Sequence, residues 1–261
     1  MTNEIQFLVD NEKCTGCGLC VSDCLRHVLR LQNNKAVATN SNCFECGHCL
    51  AICPENAVKL NGCDDEIWEI AGKQAFLDEK SLITHLKFRR SIRQYKDTPI
   101  EKEKIKKIIE AGRLTPTASN SQNVRYIVVQ NDIEALEDEV IEQYKMLSNT
   151  DNSVKLPPIY NIDRLKRGFL FYKAPLLILN ISPSEINACL AAMNMELMAE
   201  TLGLGTVYVG LFARPANVNK KLRKSLGIEE EEKIATCLAI GYPKVQYLRT
   251  APRKNANIIW R

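Results

Sequence analysis

Cys14, Cys17, Cys20 and Cys24 follow the spacing C-x2-C-x2-C-x3-C, and Cys43, Cys46, Cys49 and Cys53 repeat it 29 residues later. The flanks repeat as well: residues 5–9 and 35–39 read as short strands ahead of each cysteine run, and 28–31 and 57–60 as strands behind it. Each unit is therefore strand, cysteine loop, short helix, strand. A unit this small buries little apolar surface, so bound metal must supply part of its folding free energy. Disulfides are the other use of dense cysteine, but they need an oxidising compartment. Residues 1–10 carry Glu4 and Asp10 and lack the basic-then-apolar pattern of an export signal. The expected location is the cytoplasm, where clustered thiols point to metal.

The spacing also selects the metal. A cubane cluster needs four thiolates around a compact object; one loop wraps three of them, while the following helix carries the fourth away. Structural zinc prefers two separated C-x2-C pairs, which leaves the third and fourth cysteine of each run unexplained. Gly18 and Gly47 fall where the loop must pass close to the cluster. This first part resembles the bacterial two-cluster [4Fe–4S] ferredoxins. The resemblance implies that the fourth cysteine of each run ligates the other cluster: Cys14, Cys17, Cys20 and Cys53 for one, Cys43, Cys46, Cys49 and Cys24 for the second. Pro54 follows Cys53 as that pattern expects, whereas Leu25 follows Cys24. The departure is expected to alter a turn more than the ligation. Cys63, Cys189 and Cys237 read as small buried hydrophobes. His27, His48 and His85 are too dispersed for a further metal site, and His48 is expected to neighbour a cluster rather than ligate it.

Residues 61–80 read as a connector whose apolar members Trp68, Ile70, Phe76 and Leu77 should pack against something. Beyond it helices and strands mix. Ser81 can cap a short helix through Leu86; Ile105, Ile108 and Ile109 mark a helix over 101–112; a second helix covers 133–147. Strands are expected at 126–129, 176–181, 206–209 and 234–240, with a polar loop over 149–160. The stretch 185–202 is apolar nearly all round, which suits a central helix or one covered by a second subunit. A net charge of +4 spread over 35 basic and 31 acidic residues argues against nucleic acid. No apolar run approaches the roughly 20 residues of a membrane span.

Arg89, Arg90, Ser91 and Arg93 place three guanidinium groups and a hydroxyl within five residues, enough to clamp a phosphate. Taken with Leu114 to Tyr126, Gly241-Tyr242-Pro243, Pro252 to Lys254 and Trp260, in this order, the segment resembles the nitroreductase family of FMN enzymes over residues 81–261. The fold class implied is α+β: a two-cluster ferredoxin-type βαβ repeat over 1–62, a connector over 63–80, and a nitroreductase-like FMN domain with a central long helix over 81–261. The resemblance implies that Arg89, Arg90, Ser91 and Arg93 bind the FMN phosphate, ribityl chain and pyrimidine edge. It implies further that Thr117 and Asn120 lie close to the flavin, that Gly210 and Leu211 face its reactive side, and that Arg253 and Lys254 complete phosphate binding. Asn123-Val124 replaces the family's Pro-Trp, which changes the wall of the substrate pocket. Some relatives carry an acidic residue where this chain has Gly210, a difference that bears on nicotinamide handling.

The resemblance also implies a homodimer with each FMN at the interface. The expected enzyme is an FMN-dependent oxidoreductase passing electrons from two [4Fe–4S] clusters to FMN and on to a nitro-, quinone- or enone-type acceptor. Its donor is reduced ferredoxin or NAD(P)H. FMN carries the chemistry, so no catalytic triad or acid–base pair is expected. The alternative is a non-enzymatic electron shuttle or redox sensor.

Overall fold

The computed structural model describes residues 6–39, 43–61, 65–69, 77–147 and 156–261. Ile5, Cys63, Asp64, Ile70, Phe76 and the start of the expected 149–160 loop lie outside the described residues. The chain divides into two compact units, Met1–Ala75 with Thr117–Ser121, and Phe76–Pro116 with Gln122–Arg261.

In the first unit, β1 (Gln6–Val9) pairs antiparallel with β4 (Val58–Asn61), and β2 (Leu29–Gln32) with β3 (Lys35–Ala38). The outer strands of the duplicated sequence thus pair with each other, and the inner two form a hairpin. Two short helices, α1 (Leu19–Ser22) and α2 (His48–Ala51), follow the cysteine loops. Gly18 and Gly47 precede them at φ 79° and 73°, the left-handed region that glycine enters without strain. The small core is Cys20, Val28, Leu29 and Ala36.

The turn after Cys24 corrects one expectation. His27 N donates to Cys24 O (2.9 Å) with His27 at φ 51°, and Asn56 N donates to Cys53 O (3.2 Å) with Asn56 at φ 47°. Leu25 and Pro54 thus support the same turn, because the backbone angle that proline fixes is one that leucine also adopts.

The second unit is built on a four-stranded antiparallel sheet of order β5-β6-β8-β7, with β5 Arg125–Val129, β6 Leu176–Ile181, β7 Gly205–Tyr208 and β8 Ile234–Gly241. Every residue of β6 is buried, and its side chains alternate between two cores. Leu176 and Ile178 meet α4 (Lys102–Arg113) and α6 (Glu185–Thr201) through Ile105, Ile108, Ala192 and Met195. Leu177, Leu179 and Ile181 pack with Leu136, Val140 and Tyr144 of α5 (Ile133–Leu147) on the opposite face. Two short helices, α7 (Ala213–Val218) and α8 (Lys220–Ser225), lie in a stretch for which no element was expected. Among the described residues no helix is long and apolar enough to cross a membrane.

Three further expectations change. Helix α3 (Glu79–Phe88) is capped by Asp78, whose Oδ2 accepts both Ser81 N and Ser81 Oγ at 2.9 Å; Ser81 lies inside the helix as a donor. Helix α6, apolar nearly all round as expected, buries Glu196 and leaves Ile186 and Leu190 on an uncovered apolar side. Cys237 is buried in β8 as expected, but Cys189 is exposed on α6. Trp68 and Leu77 of the connector are also exposed rather than packed.

Candidate functional site

The cysteine loops bring their thiols together in two groups. One cavity is lined by Cys14, Cys17, Cys20 and Cys53 with Ala36 and Val58; a second is lined by Cys24, Cys43, Cys46 and Cys49 with Phe7 and Leu29. The fourth cysteine of each run therefore joins the other run's loop. Backbone amides already point at sulfur, with Ala57 N on Cys53 Sγ and Glu45 N on Cys43 Sγ, both at 3.3 Å. Burial, and then neighbouring Cys14 and Cys17, raise the Cys20 thiol; burial pushes Cys49 up to about 11, with Cys43 and Cys46 acting in the same direction. Among the described residues no group of His, Cys, Asp or Glu converges on a single ion. Each quartet lines a cavity instead, and four thiols around a cavity fit a [4Fe–4S] cubane. His48 Nδ1 pairs with Asp23 Oδ2 at 3.1 Å, so it spans the two loops as a neighbour of the second quartet.

In the second unit, Arg89 caps the end of α3 in an extended conformation (φ −55°, ψ 132°), and the chain then runs along the sheet. Ile92 N donates to Thr206 O (2.8 Å), Lys96 N to Tyr242 O (2.7 Å), and the buried Tyr95 hydroxyl to Ile92 O and Ala239 O. These bonds hold the basic segment against β7 and β8. Arg89, Arg90, Ser91 and Arg93 line a cavity of about 240 Å³ together with Arg253 and Tyr247. Four guanidinium groups and a hydroxyl around so small a space suit a phosphate monoester. Arg89 Nε and Arg90 Nη2 are buried with no partner among the described residues, and they are donors that a phosphate would satisfy. The residues present thus fit FMN at its phosphate end.

Arg93 also lines a neighbouring cavity of about 410 Å³ with Gly210, Leu211, Tyr144, Tyr172 and Tyr208. Tyr144 donates to Leu211 O at 2.7 Å and fixes that backbone from below. A tyrosine-lined space of this size beside the phosphate cradle suits an aromatic ring system. Lys254 is exposed and lines neither cavity.

Thr117 and Asn120 belong to the first unit. Asn120 Nδ2 donates to Phe44 O and Glu45 O, both at 3.0 Å, so its amide group holds the second cysteine loop. Of the ten residues expected around the flavin, the two cavities unite Arg89, Arg90, Ser91, Arg93, Gly210, Leu211 and Arg253 in the second unit. Sequence reasoning missed Glu196 and Tyr247. Glu196 carried a signal, a carboxylate set between apolar residues (Met195, Leu197) in the middle of a long, mostly apolar helix.

The sequence model described as "Nitroreductase family" matches residues 86–242, and that of the "4Fe-4S dicluster domain" matches residues 10–60. A protein of Archaeoglobus fulgidus, named provisionally as an NADH dehydrogenase/NAD(P)H nitroreductase, is 32% identical over 157 residues, 60% of this chain and 82% of its own. A nitroreductase with bound FMN from Bacteroides fragilis superposes with TM-score 0.55 and 21% identity over 70% of this chain and 100% of its own. A nitroreductase with bound FMN from Desulfitobacterium hafniense gives 0.55 and 22% over 68% and 97%. These two structures share the fold.

Proposed function

Because the chain belongs to the nitroreductase family and carries a 4Fe–4S dicluster domain in its N-terminal part, we propose that it is an iron–sulfur flavoprotein oxidoreductase. Two [4Fe–4S] clusters and FMN would conduct two electrons from reduced ferredoxin or NAD(P)H to a nitro-, quinone- or enone-type acceptor. The observation that carries this reading is the arginine-lined cavity with buried, unpartnered guanidinium nitrogens, on the same chain as two cysteine quartets.

In this reading Cys14, Cys17, Cys20 and Cys53 hold one cluster, and Cys24, Cys43, Cys46 and Cys49 the other. Arg89, Arg90, Ser91, Arg93 and Arg253 bind the phosphate and ribityl chain, Lys254 adds charge at the rim, and Thr117 and Asn120 lie close to the flavin. Gly210 and Leu211 face the ring. FMN, when bound, supplies the exchange between single electrons and a hydride. Arg93, exposed beside the ring cavity, contributes a positive charge that favours an anionic reduced ring. The tyrosines and Leu211 line a slot that would take a flat acceptor.

Two copies are proposed to pair with FMN at their interface, because α6 leaves Ile186 (74% exposed) and Leu190 (48%) uncovered. Anaerobic stopped-flow mixing with NADH, NADPH and reduced ferredoxin tests the reading. One donor should bleach cluster and flavin absorbance, and a nitroaromatic or quinone should restore both repeatedly. Reduction without turnover of any acceptor would instead assign a shuttle or sensor.

A further inference from the structure

Glu196 is 1% exposed and lies on α6, where it is buried among alanines and Met195 of the same helix. A buried carboxylate is costly unless it is paired and hydrogen-bonded. Its Oε1 accepts Arg89 Nη1 at 2.6 Å and stands 3.4 Å from Thr206 Oγ1. Thr206 binds the basic segment a second time, because its backbone oxygen accepts Ile92 N. One residue of β7 therefore touches both the carboxylate and the chain that bears the arginines.

Glu196 engages a single nitrogen of Arg89. A guanidinium is planar, so fixing one nitrogen and the stem fixes the direction of the rest. Arg89 Nε remains buried without a partner among the described residues. Arg90 is held similarly, with Nη1 on Arg89 O at 2.7 Å and Nη2 unpartnered. Both side chains line the cavity that Ser91, Arg93 and Arg253 complete. A purely structural ion pair would leave no such donors beside a cavity. One helical turn beyond, Glu200 Oε2 lies 2.9 Å from His85 Nε2 of α3, which braces the helix end that carries Arg89.

We propose that Glu196 is a positioning residue of the phosphate clamp, holding Arg89 so that its unused donors serve the cofactor's phosphate. The inference rests on the reading of the arginine cavity as an FMN phosphate site. It assigns Glu196 no contact with the cofactor itself.

The test uses the full-length protein stripped of flavin and titrated with FMN and with riboflavin, which lacks the phosphate, by flavin fluorescence. The wild type should prefer FMN. Glu196→Ala should lower the FMN-over-riboflavin preference by ~10-fold or more, the scale of one charged hydrogen bond. Glu196→Gln keeps an acceptor oxygen and should lose less; it also carries the test if the alanine variant does not fold. In an Arg89→Ala background, Glu196→Gln should change nothing further, because the effect passes through Arg89. An unchanged preference, or equal weakening of both flavins, would overturn the inference and leave the clamp standing. A wild type that binds the two flavins alike would overturn the clamp and the inference together.

Discussion

Glu137 of α5 is 2% exposed, and its carboxylate accepts three backbone N–H groups of one loop: Gly168 and Leu170 at 2.6 Å, and Phe171 at 3.1 Å. That loop supplies Phe169 and Leu170 to the cavity that holds Gly210 and Leu211, so its position shapes the candidate acceptor slot. Glu137→Ala removes three charge-assisted hydrogen bonds and leaves three backbone donors unpaired. Each such bond contributes about 1.5–3 kcal/mol, and the loop recovers part of the loss by relaxing, so the expected cost is about 3–5 kcal/mol. Glu137→Gln keeps one oxygen but sets an amide N–H₂ against a backbone N–H, and should cost about 2–3 kcal/mol. Urea unfolding followed by the circular dichroism of the second unit gives the midpoint shift. Stability within about 0.5 kcal/mol of wild type for the alanine variant would show that the loop is held by other contacts.

Burial first, and then neighbouring Glu196, push Glu200 up to about 7 against the opposing pull of Arg89. The folded protein therefore holds a proton that the unfolded chain releases near 4.5, so stability falls as pH rises between those values. Glu200→Gln should flatten that slope by about 1–2 kcal/mol after solvent screening. Thermal melts at pH 5 and pH 8 would show this, and an unaltered slope would contradict it. At Gly112 an added Cβ would stand 2.9 Å from both Met195 Cγ and the Tyr126 hydroxyl. Gly112→Val should therefore separate α4 from α6 at a cost of about 1–3 kcal/mol, and a melting temperature equal to wild type would refute the close packing.

The parts of the fold that the sequence makes legible are those whose chemistry is local. The cysteine runs declare their loops by spacing, α5 and β6 declare themselves by period, and the Arg89–Arg93 segment by charge density. What stays hidden depends on distant partners. Glu196 disappears into an apolar average although it faces Arg89, more than a hundred residues earlier in the chain. The amide of Asn120 donates to two carbonyls of the second cysteine loop, a long-range pairing that no local motif encodes. Ser81 looks like a cap, but Asp78 offers a stronger acceptor three residues earlier. Tyr247 reaches the arginine cavity because Lys244 N pairs with Gln94 O, a long-range bond that no periodicity encodes. Helices α7 and α8 are too short, at six residues each, for a pattern of 3.6 to emerge.

The proposed function requires one chain to couple thiolate-bound iron clusters to a phosphate-anchored flavin. Iron, acid-labile sulfide and flavin, assayed on protein purified without oxygen, test it directly. About eight iron and about eight sulfide per chain, with stoichiometric FMN, are expected. Protein carrying zinc in place of iron, or retaining no flavin at saturating FMN, would contradict it.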